Sequence, residues 1–435
     1  MIHERLAIHP TPHVRGVVPV PGDKSISHRY VLLGGLSDGV TSITHLAPGA
    51  DVAASVACIR GLGVEVEATG PGAVRIIGRG RAGFRAPAVA LDAANSGTTM
   101  RLLSGILASL PFTTTLIGDA SLSKRPMRRV IDPLTAMGAR IDSADGRAPL
   151  TIHGGPLHGI VWQSPVPSAQ VKSAIMLAGL AASGTSTVVE PMPTRDHSER
   201  AFPAFGLAST TTPGAGTSVS VSVHGGQQAV APNRPLAVPG DPSTAAVWAA
   251  AAAALPGSSV ELTGVCLNPG RLGFVWALER MGAQIEIIPG DEIGGEPVGT
   301  IRVRHGAHRA TVIDAAEVPS LIDELPVLAA RAALGGGLEV SGAGELRVKE
   351  SDRITALVNG FRAMGVDASE RPDGFVIDGA RRPHGGTADA AHDHRLVMAF
   401  TLVGLGSTGP STVTGAGAVA VSYPDFTIDL ARLTA

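Results

Sequence analysis

The feature that most constrains the fold of this chain is an internal repeat of about 70 to 80 residues. Six times, a short loop rich in Ser, Gly, Asp or Pro opens a helix rich in Ala and Leu, and six such repeats fill the 435 residues. The loops lie at residues 23–27, 95–99, 167–171, 241–245, 320–324 and 392–396.

A second signature falls between these loops, where an amphipathic helix ends at a glycine and passes into alternating apolar residues. This pattern is the expected junction between a helix and a strand. Each repeat therefore predicts a strand, a buried helix, a strand, an amphipathic helix and further strands. The junctions are Leu62-Gly63-Val64, Met137-Gly138-Ala139, Met281-Gly282-Ala283 and Met364-Gly365-Val366, with Phe205-Gly206-Leu207 as a weaker copy.

A near-duplication indicates where the chain divides into domains. Val18-Pro19-Val20-Pro21-Gly22-Asp23 recurs as Leu236-Ala237-Val238-Pro239-Gly240-Asp241, and three repeats follow each copy. We expect an α/β (α+β) fold of two domains, each with three repeats around a pseudo-three-fold axis. The predicted boundaries are an inserted domain of residues 20–237, a discontinuous domain of residues 1–19 and 238–435, and a hinge near 19–22 and 237–240.

Composition argues against several classes of function. A formal charge of −2 and 3% aromatic residues do not suit nucleic-acid binding, which needs a basic surface and stacking rings. Cys58 and Cys266 lie far apart and form neither a disulfide framework nor a zinc pattern. His392-Asp393-His394 lacks a third metal ligand of matching spacing, so we interpret Asp393 as a helix cap between two loop histidines.

The apolar segments favour a protein of the cytoplasm. Ala245–Leu255 and Leu396–Leu405 are the longest apolar runs, and both are too short to cross a bilayer, so they predict buried core helices. The start, Met1-Ile2-His3-Glu4-Arg5, has no basic region followed by an apolar core, and we predict no signal peptide. The Val/Ser alternation within Thr210–Val223 predicts an exposed hairpin.

The first loop carries a candidate anion site. We predict Ser25 as the N-cap of a helix that begins at Ile26, with Lys24 just before it and Arg29 one turn later. A helix start presents free N–H groups and a partial positive charge, which favour a bound anion. A basic turn that opens a surface helix is the alternative, but the chain repeats the same device.

Charged residues beside the other helix starts extend this pattern. The cations outnumber what one phosphate needs, and they suit two small ligands that each carry a phosphate and a carboxylate. A carboxylate among cations can act as a base or, when desolvated, as an acid, which singles out Asp323 and Glu350. Salt bridging on a helix surface is the alternative for Glu350 and Asp352. The groups are Asn95, Gly97 and Thr98; Lys124–Arg129; Ser168 and Gln170; Thr194–His197; Asp323 and Glu324; Arg347–Arg353; and His394 with Arg395.

With these residues assembled, the chain resembles the family of 5-enolpyruvylshikimate-3-phosphate synthases essentially from end to end. The Arg195-Asp196-His197 segment and the region around Val421 resemble the second bacterial subclass of that family. The motifs that carry the resemblance lie at residues 21–29 (PGDKSISHR), 95–101 (NSGTTMR), 118–127 (GDASLSKRPM), 168–174 (SAQVKSA), 346–353 (LRVKESDR) and 393–395 (DHR).

The resemblance implies a fold of two domains, each with three βαβαββ units, that close on a hinge when substrate binds. It implies transfer of the enolpyruvyl group from phosphoenolpyruvate to the 5-hydroxyl of shikimate 3-phosphate, with release of phosphate and without a metal or organic cofactor. The discontinuous domain would carry the phosphoenolpyruvate and acid/base half-site, and the inserted domain the shikimate 3-phosphate half-site. A monomer is expected.

The resemblance also implies residue roles. Asp323 matches the acceptor of the hydroxyl proton, Glu350 the group that handles the proton at C3 of phosphoenolpyruvate, and Lys24 a third catalytic residue. The residues that match shikimate 3-phosphate contacts are Lys24, Ser25, Arg29, Ser168, Ala169, Gln170, Arg195, Asp323 and Lys349. Those assigned to phosphoenolpyruvate are Lys24, Asn95, Gly97, Arg125, Gln170, Arg353 and Arg395.

Three positions bear on departures from the family. Many members have a Lys where this chain has Val421, so Arg353 and Arg395 hold phosphoenolpyruvate with one cation fewer or another group substitutes for it. Many also have an Asn where this chain has Glu345, which puts that substrate contact in question. Ala in place of Gly97 is associated with tolerance of the inhibitor glyphosate, so Gly97 predicts a glyphosate-sensitive enzyme.

Other functions stay open from the sequence. The sister transferase that acts on a UDP-amino sugar normally carries a reactive Cys in the loop that here contains Ser121 and Ser123. RNA 3′-phosphate cyclases share related repeats but use a covalent His–nucleotide. A non-catalytic repeat protein that binds anions is the alternative from another class, although the singly occurring Asp323 and Glu350 favour chemistry.

Overall fold

The computed structural model describes residues 4–435. Residues 1–3 lie outside the described residues. They belong to the predicted domain segment 1–19 and to the start of the chain, for which no signal peptide was predicted. The strands are β1 (Arg5–Ile8), β2 (Arg15–Pro19), β3 (Asp38–Thr44), β4 (Glu65–Gly70), β5 (Ala73–Arg79), β6 (Leu91–Asp92), β7 (Thr113–Ile117), β8 (Arg140–Ala144), β9 (Arg147–His153), β10 (Val161–Gln163), β11 (Thr185–Glu190), β12 (Thr210–Pro213), β13 (Val219–His224), β14 (Leu236–Ala237), β15 (Ser259–Cys266), β16 (Gln284–Ile293), β17 (Glu296–Arg304), β18 (Thr311–Ile313), β19 (Leu338–Val340), β20 (Asp367–Arg371), β21 (Gly374–Asp378), β22 (Gly386–Asp389) and β23 (Ser411–Thr414).

The helices alternate with these strands. They are α1 (Lys24–Leu36), α2 (Ala50–Gly61), α3 (Gly80–Gly83), α4 (Gly97–Leu107), α5 (Arg128–Ala136), α6 (Ala169–Gly179), α7 (His197–Ala201), α8 (Pro242–Ala254), α9 (Gly273–Arg280), α10 (Val318–Leu321), α11 (Leu325–Ala333), α12 (Arg353–Ala363), α13 (His394–Gly406) and α14 (Phe426–Thr434). Short 3-10 helices lie at Leu122–Lys124, Phe202–Phe205, Pro269–Arg271, Gly344–Val348 and Ala416–Val421.

Internal contacts divide the chain into two compact units. Unit 1 contains the described residues up to Pro21 together with Pro239–Glu292 and Pro297–Ala435. Unit 2 contains Gly22–Val238 and the short segment Ile293–Glu296. The tip between β16 and β17 therefore belongs to unit 2, which nothing in the repeat pattern indicated.

The sheets of unit 2 repeat one topology three times. Their strand orders are β14-β3-β5-β4, β6-β7-β9-β8 and β10-β11-β13-β12. In each sheet the first two strands are parallel, and the remaining neighbours are antiparallel. The exposed hairpin predicted within Thr210–Val223 is confirmed as the antiparallel pair β12 and β13.

Unit 1 repeats this topology twice and then departs from it. Its complete sheets have the orders β2-β15-β17-β16 and β18-β19-β21-β20. The third sheet has three strands, in the order β1-β23-β22. Within residues 4–435 the last repeat lacks the hairpin of a full βαβαββ unit: α14 follows β23 as the second helix, and β1 takes the antiparallel position beside β23.

The two copies of the duplicated segment have exchanged sheets. β2 precedes α1 in the chain, yet it pairs in parallel with β15 of unit 1. β14 precedes α8, yet it pairs in parallel with β3 of unit 2. β2 is thus the first strand of a sheet in unit 1, although α1, which follows it, belongs to unit 2. β14 is the first strand of a sheet in unit 2, although α8, which follows it, belongs to unit 1.

The predicted helix boundaries agree with the structure in both halves. A helix starts at or next to each of the six loops, and the predicted junction glycines, such as Gly63 and Gly282, have positive φ. The two longest apolar runs form α8 and α13, whose residues are all buried. Gly105 of α4 shows how closely these helices pack, since a Cβ there would lie 2.2 Å from the carbonyl oxygen of Ala174 in α6. Within residues 4–435 no helix is both long and apolar enough to span a membrane.

Candidate active site

The first loop of unit 2 differs from its prediction in one respect. Asp23, not Ser25, is the N-cap of α1, because its carboxylate accepts a hydrogen bond from the backbone N–H of Ile26 at 2.8 Å. The helix therefore begins at Lys24 rather than at Ile26. The Ser25 side chain is not used for capping, and the Lys24 ammonium lies 2.9 Å from the Asp51 carboxylate of α2.

Arg29 is buried one turn into α1, and neutral oxygens surround its guanidinium. It donates to the Ser198 hydroxyl at 2.8 Å, to the Ser173 hydroxyl at 2.8 Å and to the backbone carbonyl of Ser25 at 2.9 Å. Burial lowers the pKa of Arg29 to about 10. Nearby carboxylates, of which Glu199 has the largest effect, raise the pKa by less than burial lowers it. The three groups that hydrogen-bond to Arg29 are all uncharged.

The second loop and the basic group Lys124–Arg129 bring three more predicted residues together. Arg125 is buried, and it donates to the Asn95 side chain at 2.7 Å and to the Ser121 hydroxyl at 3.2 Å. Gly97 is the first residue of α4, whose N-cap is Ser96. A Cβ at Gly97 would lie 3.5 Å from a terminal nitrogen of Arg125, so the start of α4 faces this guanidinium directly.

The start of α6 is joined to the start of α4 by side chains. Ser168 is the N-cap of α6, and Ala169 is its first residue. The Gln170 amide donates to the Thr98 hydroxyl at 2.9 Å and accepts a hydrogen bond from Arg101 at 2.5 Å. Asn95, Gly97, Arg125 and Gln170, which were predicted separately as phosphoenolpyruvate contacts, therefore form one group in unit 2.

A buried charge cluster behind Arg29 was not predicted from the sequence. The Lys172 ammonium lies 2.9 Å from Glu190 and 2.8 Å from Glu199, and the Lys172 side chain is 2% exposed. Burial opposes the charged form of Lys172, but the two carboxylates raise its pKa. Arg195 is half-buried, and its positive charge contributes to the lowered pKa of Arg29. A Lys inside the apolar α6 pattern was the available signal for this cluster.

His28 adds a neutral link between three helices of unit 2. Its Nδ1 lies 2.8 Å from the Ser55 hydroxyl of α2, which in turn lies 2.8 Å from the Thr99 hydroxyl of α4. Burial, with the charges of Lys24 and Arg29, holds the pKa of His28 well below its ordinary value. His28 is therefore uncharged at neutral pH.

Unit 1 gathers its predicted residues around Arg353. This guanidinium, which is 2% exposed, donates to Asp393 at 2.7 Å, to Asp323 at 3.4 Å and to the Glu350 carboxylate. Burial alone would lower the pKa of Arg353, but the carboxylates of Asp393, Glu350 and Asp323 outweigh it and raise the pKa. The two predicted acid/base residues, Asp323 and Glu350, thus contact the same cation.

Arg395 holds the turn that carries Asp323. Asp323 lies between α10 and α11, and Arg395 donates to its backbone carbonyl at 2.9 Å. The predicted cap is confirmed, since the Asp393 carboxylate accepts a hydrogen bond from the backbone N–H of Arg395 at the start of α13. Asp323 therefore has a fixed backbone and a carboxylate that faces two guanidinium groups.

Within Arg347–Arg353, Asp352 and Glu350 differ in their partners. The sequence allowed either surface salt bridging or a role among the site cations for both. Asp352 caps α12 and pairs with Arg347 at 2.9 Å near the surface, as the salt-bridge alternative expected. Glu350 instead pairs with the buried Arg353. Lys349 lies 3.5 Å from Glu345 and contacts none of the Arg353 cluster in the bonds described, so the structure leaves Lys349 outside that group.

Comparison with known proteins decides the family. The family model for EPSP synthase (3-phosphoshikimate 1-carboxyvinyltransferase) matches residues 8–430. The chain belongs to the EPSP synthase family. A curated 3-phosphoshikimate 1-carboxyvinyltransferase of Acidithiobacillus ferrooxidans is 49% identical over 97% of this chain and 96% of its own length. One from Halorhodospira halophila is 47% identical over 99% of this chain and 96% of its own length.

Solved structures agree with this membership. EPSP synthase from Acinetobacter baumannii is 40% identical, covers 99% of this chain and 98% of its own, and superposes with a TM-score of 0.86. The enolpyruvyl transferase NikO from Streptomyces tendae is 17% identical over 99% of this chain and 97% of its own, with a TM-score of 0.77, and it supports the fold alone. The predicted fold class, the two-domain enolpyruvyl transferase fold, is confirmed, and the chain is a transferase of the shikimate pathway of aromatic amino-acid biosynthesis.

Proposed function

This member of the EPSP synthase family transfers the enolpyruvyl group of phosphoenolpyruvate to the 5-hydroxyl of shikimate 3-phosphate, and we propose that Asp323 and Glu350 are its proton-transfer residues. Asp323 accepts the proton of the 5-hydroxyl as the oxygen bonds to C2 of phosphoenolpyruvate. Glu350 delivers a proton to C3 and later removes one from it, as phosphate leaves the tetrahedral intermediate. Lys24 is the third catalytic group and balances negative charge.

The observation that carries this proposal is the shared guanidinium of Arg353. Two carboxylates of unit 1 converge on a cation that is 2% exposed, and both keep a partly exposed edge, with 16% and 18% of their side chains accessible. A structural ion pair would need only one of them. Two carboxylates with one fixed cation suit a reaction that adds a proton at one atom and removes one at another.

The cations of unit 2 suit the binding of shikimate 3-phosphate. The Gln170–Thr98 hydrogen bond joins the starts of α4 and α6, Arg29 of α1 bonds to Ser173 of α6, and each helix start offers N–H groups to an anion. Hydroxyl and carbonyl groups hold Arg29, so its charge stays available for a phosphate. The proposed contacts are Lys24, Ser25, Arg29, Ser168, Ala169, Gln170 and Arg195, with Asp323 and Lys349 from unit 1.

Phosphoenolpyruvate carries a carboxylate and a phosphate, and forked guanidinium groups bind both well. We assign Arg125 of unit 2 and the pair Arg353 and Arg395 of unit 1 to these groups. Lys24, Asn95, Gly97 and Gln170 complete the proposed set. The Arg353 and Arg395 guanidinium groups are already fixed by carboxylates and carbonyls, so little side-chain entropy is lost when the substrate binds.

Three finer statements belong to the same proposal. Glyphosate inhibits the enzyme, because Gly97 leaves space beside the Arg125 guanidinium. Residues near 19–22 and 237–240 act as the hinge on which the enzyme closes. The protein works as a cytoplasmic monomer, which sedimentation of the purified chain with and without both substrates tests directly.

Phosphate release tests the reaction and its base. The wild-type chain should release phosphate only when phosphoenolpyruvate and shikimate 3-phosphate are both present, and Asp323→Ala should lower kcat by about 10²- to 10⁴-fold, the usual contribution of a general base. Calorimetric binding of shikimate 3-phosphate should survive this substitution. Glu339→Ala, which removes an exposed carboxylate of the same unit, is the control and should keep wild-type turnover. Full turnover in Asp323→Ala would refute the assignment.

A further inference from the structure

A buried polar cluster lies directly behind Arg395 and Asp323 in unit 1. Its centre is the Ser243 hydroxyl, near the start of α8, which donates to the Glu324 carboxylate. The same hydroxyl accepts hydrogen bonds from Arg271 at 2.9 Å and from Arg395 at 3.3 Å. A hydroxyl has one donor and two acceptor positions, so Ser243 uses its full capacity here.

Arg271 is the cation of this cluster. It closes the 3-10 helix Pro269–Arg271 after β15, and its side chain is 2% exposed. Its guanidinium lies 3.3 Å from Asp241, the N-cap of α8, and 3.7 Å from Glu324. The Glu324 carboxylate is 0% exposed, and a buried carboxylate without a nearby cation is strongly destabilising. Arg271 supplies that cation.

The cluster is connected to both residues that the proposed function uses. Glu324 is the neighbour of Asp323 in the chain, so anchoring the Glu324 side chain fixes the turn on which Asp323 stands. Ser243 contacts Arg395 directly, and Arg395 donates to the Asp323 carbonyl. The starts of α8, α11 and α13 are thereby held together.

We propose that Arg271 is a positioning residue of the transfer reaction, which acts through Ser243 on the guanidinium of Arg395 and through Glu324 on the turn that carries Asp323. This inference rests on the proposed roles of Asp323 and Arg395. Arg271 is not among the proposed substrate contacts. A displacement of about 1 Å in a reacting group can lower the rate about a hundredfold, so a residue behind the site can control kcat.

The decisive variant is Arg271→Met, which keeps the length of the side chain and removes its charge and hydrogen bonds. We expect kcat to fall by about ten- to a hundredfold and KM for phosphoenolpyruvate to rise, whereas KM for shikimate 3-phosphate stays near wild type. The acid limb of the pH–rate profile should move to higher pH, because a displaced Arg395 supports the Asp323 carboxylate less. Arg271→Lys, which keeps the charge, should recover most of the lost turnover.

Arg331→Met is the matched control, because Arg331 is a second fully buried arginine of unit 1. It donates to the carbonyls of Gly335 and Met281, at 2.7 and 2.6 Å, and not to the Ser243 cluster. This substitution should lower thermal stability but leave kcat per folded molecule and the pH profile unchanged. Equal kinetic behaviour of the two Met variants, after correction for the folded fraction, would overturn the proposal.

A double-mutant cycle tests the route through Ser243. If Arg271 acts on Arg395 through this hydroxyl, Ser243→Ala should lower kcat by itself and add little when combined with Arg271→Met. Independent, multiplying losses would exclude the route. Failure of this inference is distinguishable from failure of the proposed function, since an inactive Asp323→Ala beside a fully active Arg271→Met would remove only the role of Arg271.

Discussion

Arg29 lies one turn into α1 of unit 2 and Arg353 is the first residue of α12 of unit 1, and both are buried, yet their surroundings are opposite. Hydroxyls and a backbone carbonyl hold Arg29, and its pKa falls to about 10. The carboxylates of Asp393, Glu350 and Asp323 hold Arg353, and its pKa rises. The comparison teaches that the same residue type, buried near the start of a helix, can serve two purposes. A buried cation among neutral oxygens is available for an anion, whereas a cation among carboxylates also fixes groups that move protons.

The largest effect expected from this difference concerns Glu350. Glu350→Gln removes the proton-transfer group but keeps a hydrogen-bond acceptor for Arg353, so kcat should fall by about 10²- to 10⁴-fold while shikimate 3-phosphate still binds. Steady-state phosphate release and calorimetry measure the two quantities. Glu370→Gln, a change at an exposed carboxylate of unit 1, is the control. A variant that loses binding but keeps kcat would place Glu350 in a binding role, and the contrast between the units would fail.

The next effect concerns stability and compares the two arginines directly. Arg353→Met leaves buried carboxylates without their cation and should lower the free energy of unfolding by about 3–5 kcal/mol. Arg29→Met should cost less than about 1.5 kcal/mol, because Ser173 and Ser198 lie 2.7 Å apart and still bond to each other. Hydrogen exchange with mass spectrometry resolves the peptides of each unit and measures both changes. Similar losses in the two variants would mean that the neutral oxygens hold Arg29 as firmly as carboxylates hold Arg353.

A smaller effect is expected at the start of α4. A Cβ at Gly97 would lie 2.9 Å from a terminal nitrogen of Arg101, which must shift, and at an ordinary contact distance of 3.5 Å from one of Arg125. We expect Gly97→Ala to raise the inhibition constant of glyphosate about tenfold or more, a change of about 1.4 kcal/mol, and to raise KM for phosphoenolpyruvate less. Inhibition kinetics against phosphoenolpyruvate measure both constants. Equal glyphosate constants for the two proteins would exclude this contact from the inhibitor site.

The smallest effect is a pH dependence that separates the units. The pKa of His28 is lowered in the folded state, so the unfolded state takes up a proton first as the pH falls. Neutral His28 makes its full contribution to the free energy of unfolding above the ordinary histidine pKa of 6.5. Below that pH the contribution falls, by at most about 1.4 kcal/mol per pH unit. Urea unfolding between pH 7 and 5, resolved by hydrogen exchange in unit 2, should show this slope, and His28→Asn should remove it. His392→Asn, at an exposed histidine of unit 1, should behave as the wild type; an unchanged slope in His28→Asn would contradict the prediction.

Helix starts and helix ends could be predicted from the sequence because they depend on neighbouring residues. A cap such as Asp393 bonds to an N–H two residues away, and a junction glycine such as Gly282 needs only its own positive φ. The one wrong cap shows the limit of such reasoning. Asp23 and Ser25 are both good caps, and the choice between them fixed where α1 begins.

Pairings between distant side chains could not be predicted in this way. Ser243 bonds to Glu324 across 81 residues, and Lys172 meets two glutamates from other elements only after α6, β11 and α7 have packed. The partner strands of β2 and β14, which are β15 and β3, could not be predicted either, because a long stretch of chain separates each strand from its partner.

The sequence by itself determined the repeats, the loops that open their helices and the family to which the chain belongs. Each of these can be recognised from short contiguous motifs. Only the tertiary structure decided which charges are cancelled and which are left available. That outcome depends on burial and on distances of a few ångströms between side chains of separate elements, as the contrast between Arg29 and Arg353 shows.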